Sequence, residues 1–156
     1  MDVRMKLALE CVDEVDMSAA DCVAPQTPLV DVFKVLERNH GGALVCHEGM
    51  MIGIFTERDA LKALAQQTAL DTPVGTLMTV SPVTARTSTS IGQAIRKMAV
   101  GGYRRMPVLG DDNRPVGVVT TSGLVHYLVE QFAKTIYTLP PSPTTAGAAA
   151  PEQEGA

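Results

Sequence analysis

The sequence predicts an α+β fold in which one β-α-β-β-α unit occurs twice, with two small sheets packed together and helices outside. An apolar stripe with helical spacing, i, i+3, i+4, i+7, occupies positions 29–36 and recurs 62 residues later at 91–98. A short apolar segment that favours a strand follows each stripe, at 43–46 and at 105–108. One unit of about 60 residues is marginal as an independent core, so we expect the two units to pack together.

The second half of the unit is repeated as well. Gly53–Thr56 corresponds to Gly117–Thr120 at an offset of 64, because the second turn, Gly110–Asn113, is two residues longer. A further helical stripe follows each threonine, at 60–65 and 124–129. Five elements in the same order make chance similarity a poor explanation.

These repeats divide the chain into three predicted regions. Residues 1–75 contain the N-terminal segment and the first unit, and residues 76–139 contain the second unit. Residues 140–156 are rich in Pro and Ala and lack aromatic side chains. Such a segment cannot bury enough surface to offset the entropy lost on ordering, so we expect a flexible tail.

Composition excludes several classes of function. The chain of 156 residues is 46% hydrophobic and has a net charge of −4 and no Trp. Neither a cationic field nor an aromatic stacking platform for nucleic acid is expected. No apolar run approaches the roughly 18 residues of a membrane helix, and acidic residues interrupt the N-terminus before any secretory segment develops. We therefore expect a cytoplasmic protein that contacts neither nucleic acid nor membrane.

The three cysteines, Cys11, Cys22 and Cys46, are odd in number and far apart in the sequence. Buried, reduced thiols are the expected state of such residues. His40, His47 and His126 form no tight cluster with them, so neither a structural zinc site nor any other metal site is predicted.

The repeated motifs resemble those of a pair of CBS domains. Gly53–Asp59 is similar to the family pattern Gly-h-x-Thr-x-x-Asp, where h is apolar, and Tyr103–Val108 is similar to its Arg-rich strand ending in Pro-Val. Leu77–Thr79 resembles the usual entry to a second repeat. The resemblance covers about residues 10–135. It implies a regulatory module, usually a homodimer, that binds AMP, ADP, ATP or S-adenosylmethionine between the repeats, whereas some members serve only as interaction modules.

The resemblance also implies which residues bind the ligand. Asp59 holds the position whose carboxylate accepts hydrogen bonds from ribose hydroxyls, and Thr56 lies at a helix N-terminus suited to phosphate. Arg104 and Arg105 are candidates for phosphate binding, with Arg104 ranked first. The predicted set is completed by Ile54 and Val83 beside the base, and by Arg58, Thr120 and Ser122.

A simpler interpretation exists for each of these groups. Thr56 and Asp59 also fit a capping box, which needs no ligand, although one group can serve as both cap and ligand site. The two arginines also fit solvated cations at a strand edge, paired with Asp111 or Asp112. Because side chains alternate along a strand, the two arginines should face opposite ways.

The two clefts should differ. Gly123 stands where the first unit has Asp59, and Gly42 stands where the second has Arg104. We therefore predict one good site and one weak or empty site per chain.

No catalytic constellation is apparent, and the chain has no room for a barrel domain of about 250 residues, so an enzyme is not predicted. Two hypotheses remain. One is a nucleotide sensor that signals to an effector protein through the shape of its dimer. The other is a structural or interaction module without nucleotide.

Overall fold

The computed structural model describes residues 2–138 and contains the predicted unit twice. The predicted tail, 140–156, lies outside the described residues. Helix α1 (Val3–Leu9) precedes the first unit. The first unit consists of β1 (Cys22–Val23), α2 (Leu29–Asn39), β2 (Gly42–His47), β3 (Met50–Thr56) and α3 (Glu57–Ala65). A short strand, β4 (Thr79–Val80), precedes the second unit, which consists of β5 (Ala85–Arg86), α4 (Ile91–Gly101), β6 (Arg105–Leu109), β7 (Pro115–Thr120) and α5 (Thr121–Thr138).

The strands form two small mixed sheets, as predicted. The first has the order β1-β2-β3-β4 and the second has the order β5-β6-β7. In both sheets the first and second strands are parallel, and the second and third strands form an antiparallel hairpin. The β2–β3 turn is tight because Glu48 and Gly49 both have positive φ, 52° and 81°, as hairpin turns that match the strand twist require.

Each unit has its own hydrophobic core. In the first unit, α2 and α3 pack on the sheet around Leu29, Val32 and Phe55, which are nearly or fully inaccessible to solvent. In the second unit, the equivalent residues surround Ile91 and Met106. A third, smaller cluster joins the two sheets and contains Leu44, Ile54 and Val118.

The N-terminal segment packs on the second core, although it precedes the first unit in the chain. Val12 and Val15 are buried in that core. Residues before and after them also bond to the second unit: Ile91 N donates to Glu10 O at 2.9 Å, and Ser18 and Val118 exchange backbone hydrogen bonds of 2.9 Å. The boundaries predicted at 1–75 and 76–139 stay a prediction. No helix among residues 2–138 is both long and apolar enough to cross a membrane.

Candidate functional site

The turn from β3 into α3 forms the centre of the candidate site. Thr56 caps the helix, and its Oγ1 accepts a hydrogen bond of 3.4 Å from Asp59 N. In return, Asp59 Oδ2 accepts hydrogen bonds from Thr56 N at 2.9 Å and Thr56 Oγ1 at 3.1 Å. The reciprocal bonds confirm the capping box that the sequence allowed. They also fix the half-buried carboxylate at the N-terminus of α3.

Strand β4 adds a third group to this carboxylate. Thr79 Oγ1 donates to Asp59 at 3.3 Å (Oδ1) and 3.4 Å (Oδ2). The contact arises because β4 pairs with β3, with Thr79 opposite Ile54. The set of predicted site residues lacks Thr79, although the threonine belongs to the Leu77–Thr79 motif noted in the sequence.

A shallow depression lies on the α3 side of the same carboxylate. Its volume is about 200 Å³, and Lys62 and Gln66 of α3 and Thr76 and Leu77 before β4 line it together with Asp59. Ligand pockets usually enclose roughly 300–1,000 Å³. The depression is too small on its own to indicate a nucleotide. Lys62 does, however, place a cationic side chain in the same depression as Asp59.

Arg105 reaches from the second unit towards the start of α3. Its guanidinium occupies the space that a Cβ atom on Gly41 would need, so a larger residue there would displace the arginine from this position. The carbonyl oxygen of Gly41 accepts a hydrogen bond of 3.2 Å from the backbone N–H of Glu57, the first residue of α3. A cationic group is thereby placed beside the turn that holds Thr56 and Asp59. No local sequence pattern marks Gly41 for this contact, because Arg105 lies 64 residues further along the chain.

Arg104 lies in a different place. Its side chain is exposed, and its carbonyl oxygen accepts hydrogen bonds from Thr121 N at 3.0 Å and Thr121 Oγ1 at 3.3 Å, at the start of α5. Within residues 2–138 neither Arg104 nor Arg105 forms an ion pair, and Asp112 pairs with Arg114 at 3.0 Å instead.

The second turn has the same cap but no carboxylate. Thr120 Oγ1 accepts from Gly123 N at 3.0 Å and lies 3.1 Å from Ser122 Oγ. A Cβ atom on Gly123 would lie 3.1 Å from Thr120 Oγ1 and 3.2 Å from Asp16 O. The backbone of the N-terminal segment therefore packs tightly against the Cα of Gly123.

The remaining predicted residues are dispersed. Ile54 is 9% exposed and lies in the cluster between the sheets, whereas Val83, before β5, is 37% exposed. Arg58 is exposed on the first turn of α3. The structure thus brings Thr56 and Asp59 together at the N-terminus of α3, and it places Arg105 against Gly41, whose carbonyl oxygen bonds to the first residue of that helix.

The cysteines differ from expectation. Cys22 is exposed and Cys46 is half-buried, so the prediction of buried thiols is wrong for Cys22. Their sulfur atoms lie 3.1 Å apart because β1 and β2 pair in parallel, a contact that the sequence separation conceals. All three thiols are free, and among residues 2–138 no group of three metal-ligating side chains occurs. Burial is the largest of three causes that together raise the pKa of the Cys46 thiol to about 12; the others are the hydrogen bond to Cys22 and the negative charge of an ionised Cys22.

Comparison with known proteins relates the chain to one family. The family model of the CBS domain matches residues 12–66 and again residues 74–130. The CBS domain-containing protein YhcV of Bacillus subtilis is 31% identical over 104 residues, which are 65% of this chain and 74% of YhcV. A protein of Methanocaldococcus jannaschii is 35% identical over 107 residues. The match covers 67% of this chain but only 25% of that relative, so the chain spans a quarter of its length.

The fold agrees with that of solved CBS pairs. The crystal structure of CBSX2 of Arabidopsis thaliana in complex with AMP superposes with a TM-score of 0.67 at 26% identity. The superposition covers 78% of this chain and 97% of that chain. With both repeats matched by the family model and the architecture shared, the chain belongs to the CBS domain family and carries two CBS domains in tandem.

Proposed function

We propose that this chain is a regulatory module that binds an adenine nucleotide at the β3–α3 turn. One observation carries the proposal: the Asp59 carboxylate lies at the N-terminus of α3, and the Arg105 guanidinium lies against Gly41, which bonds to the first residue of the same helix. A nucleotide needs an acceptor for its ribose hydroxyls and a cation for its phosphate. This turn offers one of each, whereas the second turn offers no carboxylate.

Asp59 retains capacity for a ligand while it caps the helix. Each oxygen of an ionised carboxylate can accept two hydrogen bonds. Among the described residues, Oδ1 accepts only from the hydroxyl of Thr79, whose single proton it shares with Oδ2, whereas Oδ2 also accepts from Thr56. We assign Oδ1 to a ribose hydroxyl, the Thr56 turn and Arg105 to the phosphate, and Ile54 and Val83 to the base. Arg58 and Arg104 are assigned outer positions because both are exposed.

The AMP complex of CBSX2, which shares the fold at 26% identity, supports an adenine ligand and makes AMP the first candidate. ADP, ATP and S-adenosylmethionine follow, as the family resemblance implies. Longer phosphate chains would need further cations, and Lys62 beside Asp59 is one candidate for that contact.

Thermal unfolding with and without each of these four compounds tests the proposal. At a concentration of one hundred times Kd, one bound ligand adds about 2.7 kcal/mol to the free energy of unfolding. For a domain of this size that raises Tm by about 5–10 °C. No shift with any compound at millimolar concentration would contradict the proposal and favour the interaction module without nucleotide. Titration calorimetry then gives the stoichiometry, for which we expect one nucleotide per chain.

The proposal includes a homodimer that transmits the signal. Exposed apolar side chains occur on α3 and α5, the last helices of the two units; they are Leu61, Leu64, Val125, Val129 and Phe132. Burying such side chains against a second chain stabilises the assembly. A ligand signals through the dimer only if it binds one dimer shape more tightly than another.

Sedimentation velocity tests the dimer. Leu64→Asp and Val129→Asp should each shift the chain towards a monomer, because a carboxylate would be buried in the interface. Val100→Asp is the matched control, since Val100 is 84% exposed on α4, outside the proposed surface. Dimers in all three variants would contradict this surface. The proposed role is regulatory rather than catalytic; the effector protein and the cytoplasmic location expected from the sequence stay predictions.

A further inference from the structure

Two cysteines from separate strands meet at the edge of the first sheet. Cys22 lies on β1 opposite Leu44 of β2, and Cys46 lies two residues beyond Leu44, so the three side chains share one face. The Sγ atoms are 3.1 Å apart, and Cys46 donates its S–H to Cys22. An S–S bond is about 2.0 Å long, so closure needs the sulfurs to approach by about 1 Å and, because Cys22 pairs with Leu44 rather than with Cys46, a movement of β1 along β2.

We propose that Cys22 and Cys46 form a redox modification site that closes reversibly to a disulfide. With hydrogen peroxide as oxidant, the Cys22 sulfur attacks one peroxide oxygen, which gives Cys22 sulfenic acid and one water. The Cys46 sulfur then attacks the sulfenic sulfur, the S–S bond forms, and the hydroxyl leaves as a second water with the Cys46 proton. Two thiols are oxidised by two electrons, and one peroxide is reduced to two waters.

The two sulfurs have different surroundings, which sets their order of reaction. Cys22 is exposed, so an oxidant in solution reaches it first. Cys46 is half-buried and packs against the cluster between the sheets. Its pKa is raised to about 12, so it is less reactive than an ordinary thiol towards an oxidant in solution, and only its position beside Cys22 favours the second step. Cys11 points elsewhere, since its Sγ contacts the carbonyl oxygen of Ser88 at 3.4 Å in the second unit.

Closure would fasten a weakly held strand. β1 is two residues long and pairs with β2 at only two positions. The chain just before β1 pairs with the second unit through Ser18 and Val118. A disulfide at Cys22 therefore fixes the connection between the two units at its first-unit end. A bridge across a loop of about 25 residues should raise Tm by about 5–15 °C.

The test treats the full chain with hydrogen peroxide, counts free thiols and maps the peptides without reduction. We expect the count to fall from three to one, with Cys22 linked to Cys46 within one chain. Dithiothreitol should restore all three thiols and the lower Tm. A pair that stays reduced while Cys22 overoxidises, or a link that uses Cys11 or joins two chains, would overturn the proposal.

Single-cysteine variants serve as controls. Cys11→Ser should still close the bridge and leave no free thiol after oxidation. Cys46→Ser should lose both the intrachain link and the oxidant-dependent rise in Tm. If peroxide raised the Tm of Cys46→Ser as much as that of the unmodified chain, the rise would not come from this pair. These readouts use no nucleotide, so the redox site and the proposed nucleotide site can fail independently.

Discussion

The two strand-to-helix turns share a threonine cap and differ three residues later. At the first turn, Asp59 returns the hydrogen bond of the cap and holds a carboxylate at the helix N-terminus. At the second, Gly123 lets the carbonyl oxygen of Asp16 approach. One copy of the repeat thus keeps a polar group available to a ligand. The other lacks the carboxylate and holds the carbonyl oxygen of Asp16 beside the equivalent position, so the two turns offer different groups to a ligand.

Removal of the carboxylate should have the largest effect on this comparison. Asp59→Ala should abolish the stabilisation by AMP, about 2.7 kcal/mol at one hundred times Kd, because the ribose acceptor is lost. Loss of an acidic residue near the helix N-terminus should itself cost about 0.3–1 kcal/mol. Thermal unfolding with and without AMP separates the two effects.

Asp59→Asn is the matched variant for this experiment. Its amide oxygen can still accept the cap hydrogen bonds, but it provides one acceptor oxygen instead of two. We expect a folded chain with weakened AMP binding. Full binding by both variants would show that the carboxylate serves only as a cap.

An acid placed at the second turn should not create a second site. Gly123→Asp should lower the free energy of unfolding by about 1–3 kcal/mol, because its Cβ meets Thr120 Oγ1 and Asp16 O. Gly123→Ala adds the Cβ without the charge. It therefore separates the effect of crowding by the Cβ from repulsion between the new carboxylate and the carbonyl oxygen of Asp16. Calorimetry should still give one AMP per chain. A second equivalent in Gly123→Asp would show that the missing acid alone, and not the N-terminal segment, distinguishes the turns.

The two arginines should differ in their contribution to binding. Arg105→Ala should weaken AMP binding at least about tenfold, because a charge-assisted hydrogen bond contributes roughly 1.5–3 kcal/mol. Arg104→Ala should weaken it less, since this side chain is exposed at the start of α5. Titration of both variants measures the difference. A larger loss of AMP affinity in Arg104→Ala than in Arg105→Ala would support the ranking predicted from the sequence. It would also place the phosphate beside Arg104 rather than beside Gly41.

The smallest expected effect, measured between pH 9 and pH 10, concerns only the first unit, where Cys46 occupies the position of Val108 in the second. Its pKa is raised in the folded state from 9.0 to about 12. Between these values the unfolded chain loses the proton while the folded chain keeps it, so the free energy of unfolding falls as pH rises. Denaturant unfolding under reducing conditions should show a weaker fall in Cys46→Ser. Equal pH profiles would place the Cys46 thiol in an ordinary environment.

Sequence periodicity predicted most of the fold because each helix buries one continuous stripe and each hairpin is local. Leu29, Val32 and Ile91 are buried as the spacing required. The position of the N-terminal segment could not be predicted in the same way. Val12 and Val15 join the second core through contacts distant in the chain, and no local pattern encodes them.

The candidate site was predicted only in part for a related reason. Thr56 and Asp59 lie three residues apart and meet through local helix geometry. Thr79 and Arg105 approach the turn from other strands, and the pair Cys22 and Cys46 depends on the parallel strand β1. Arg104 was ranked above Arg105 because the family resemblance gives it the phosphate-contacting position. Which of the two side chains faces Gly41 depends on the packing of the two units, which the sequence pattern does not encode.

The route of the N-terminal segment has a consequence for biosynthesis. Residues such as Val12 leave the ribosome before their binding partners in α4 and β7, which are made about eighty to one hundred residues later. The first unit can form its own core before those partners are made. During that time the segment that contains Val12 and Val15 has no partner to pack against. Contacts of such long sequence separation slow folding and prolong the exposure of apolar surface. The core of the second unit is therefore completed last, when the N-terminal segment packs against α4, β7 and α5.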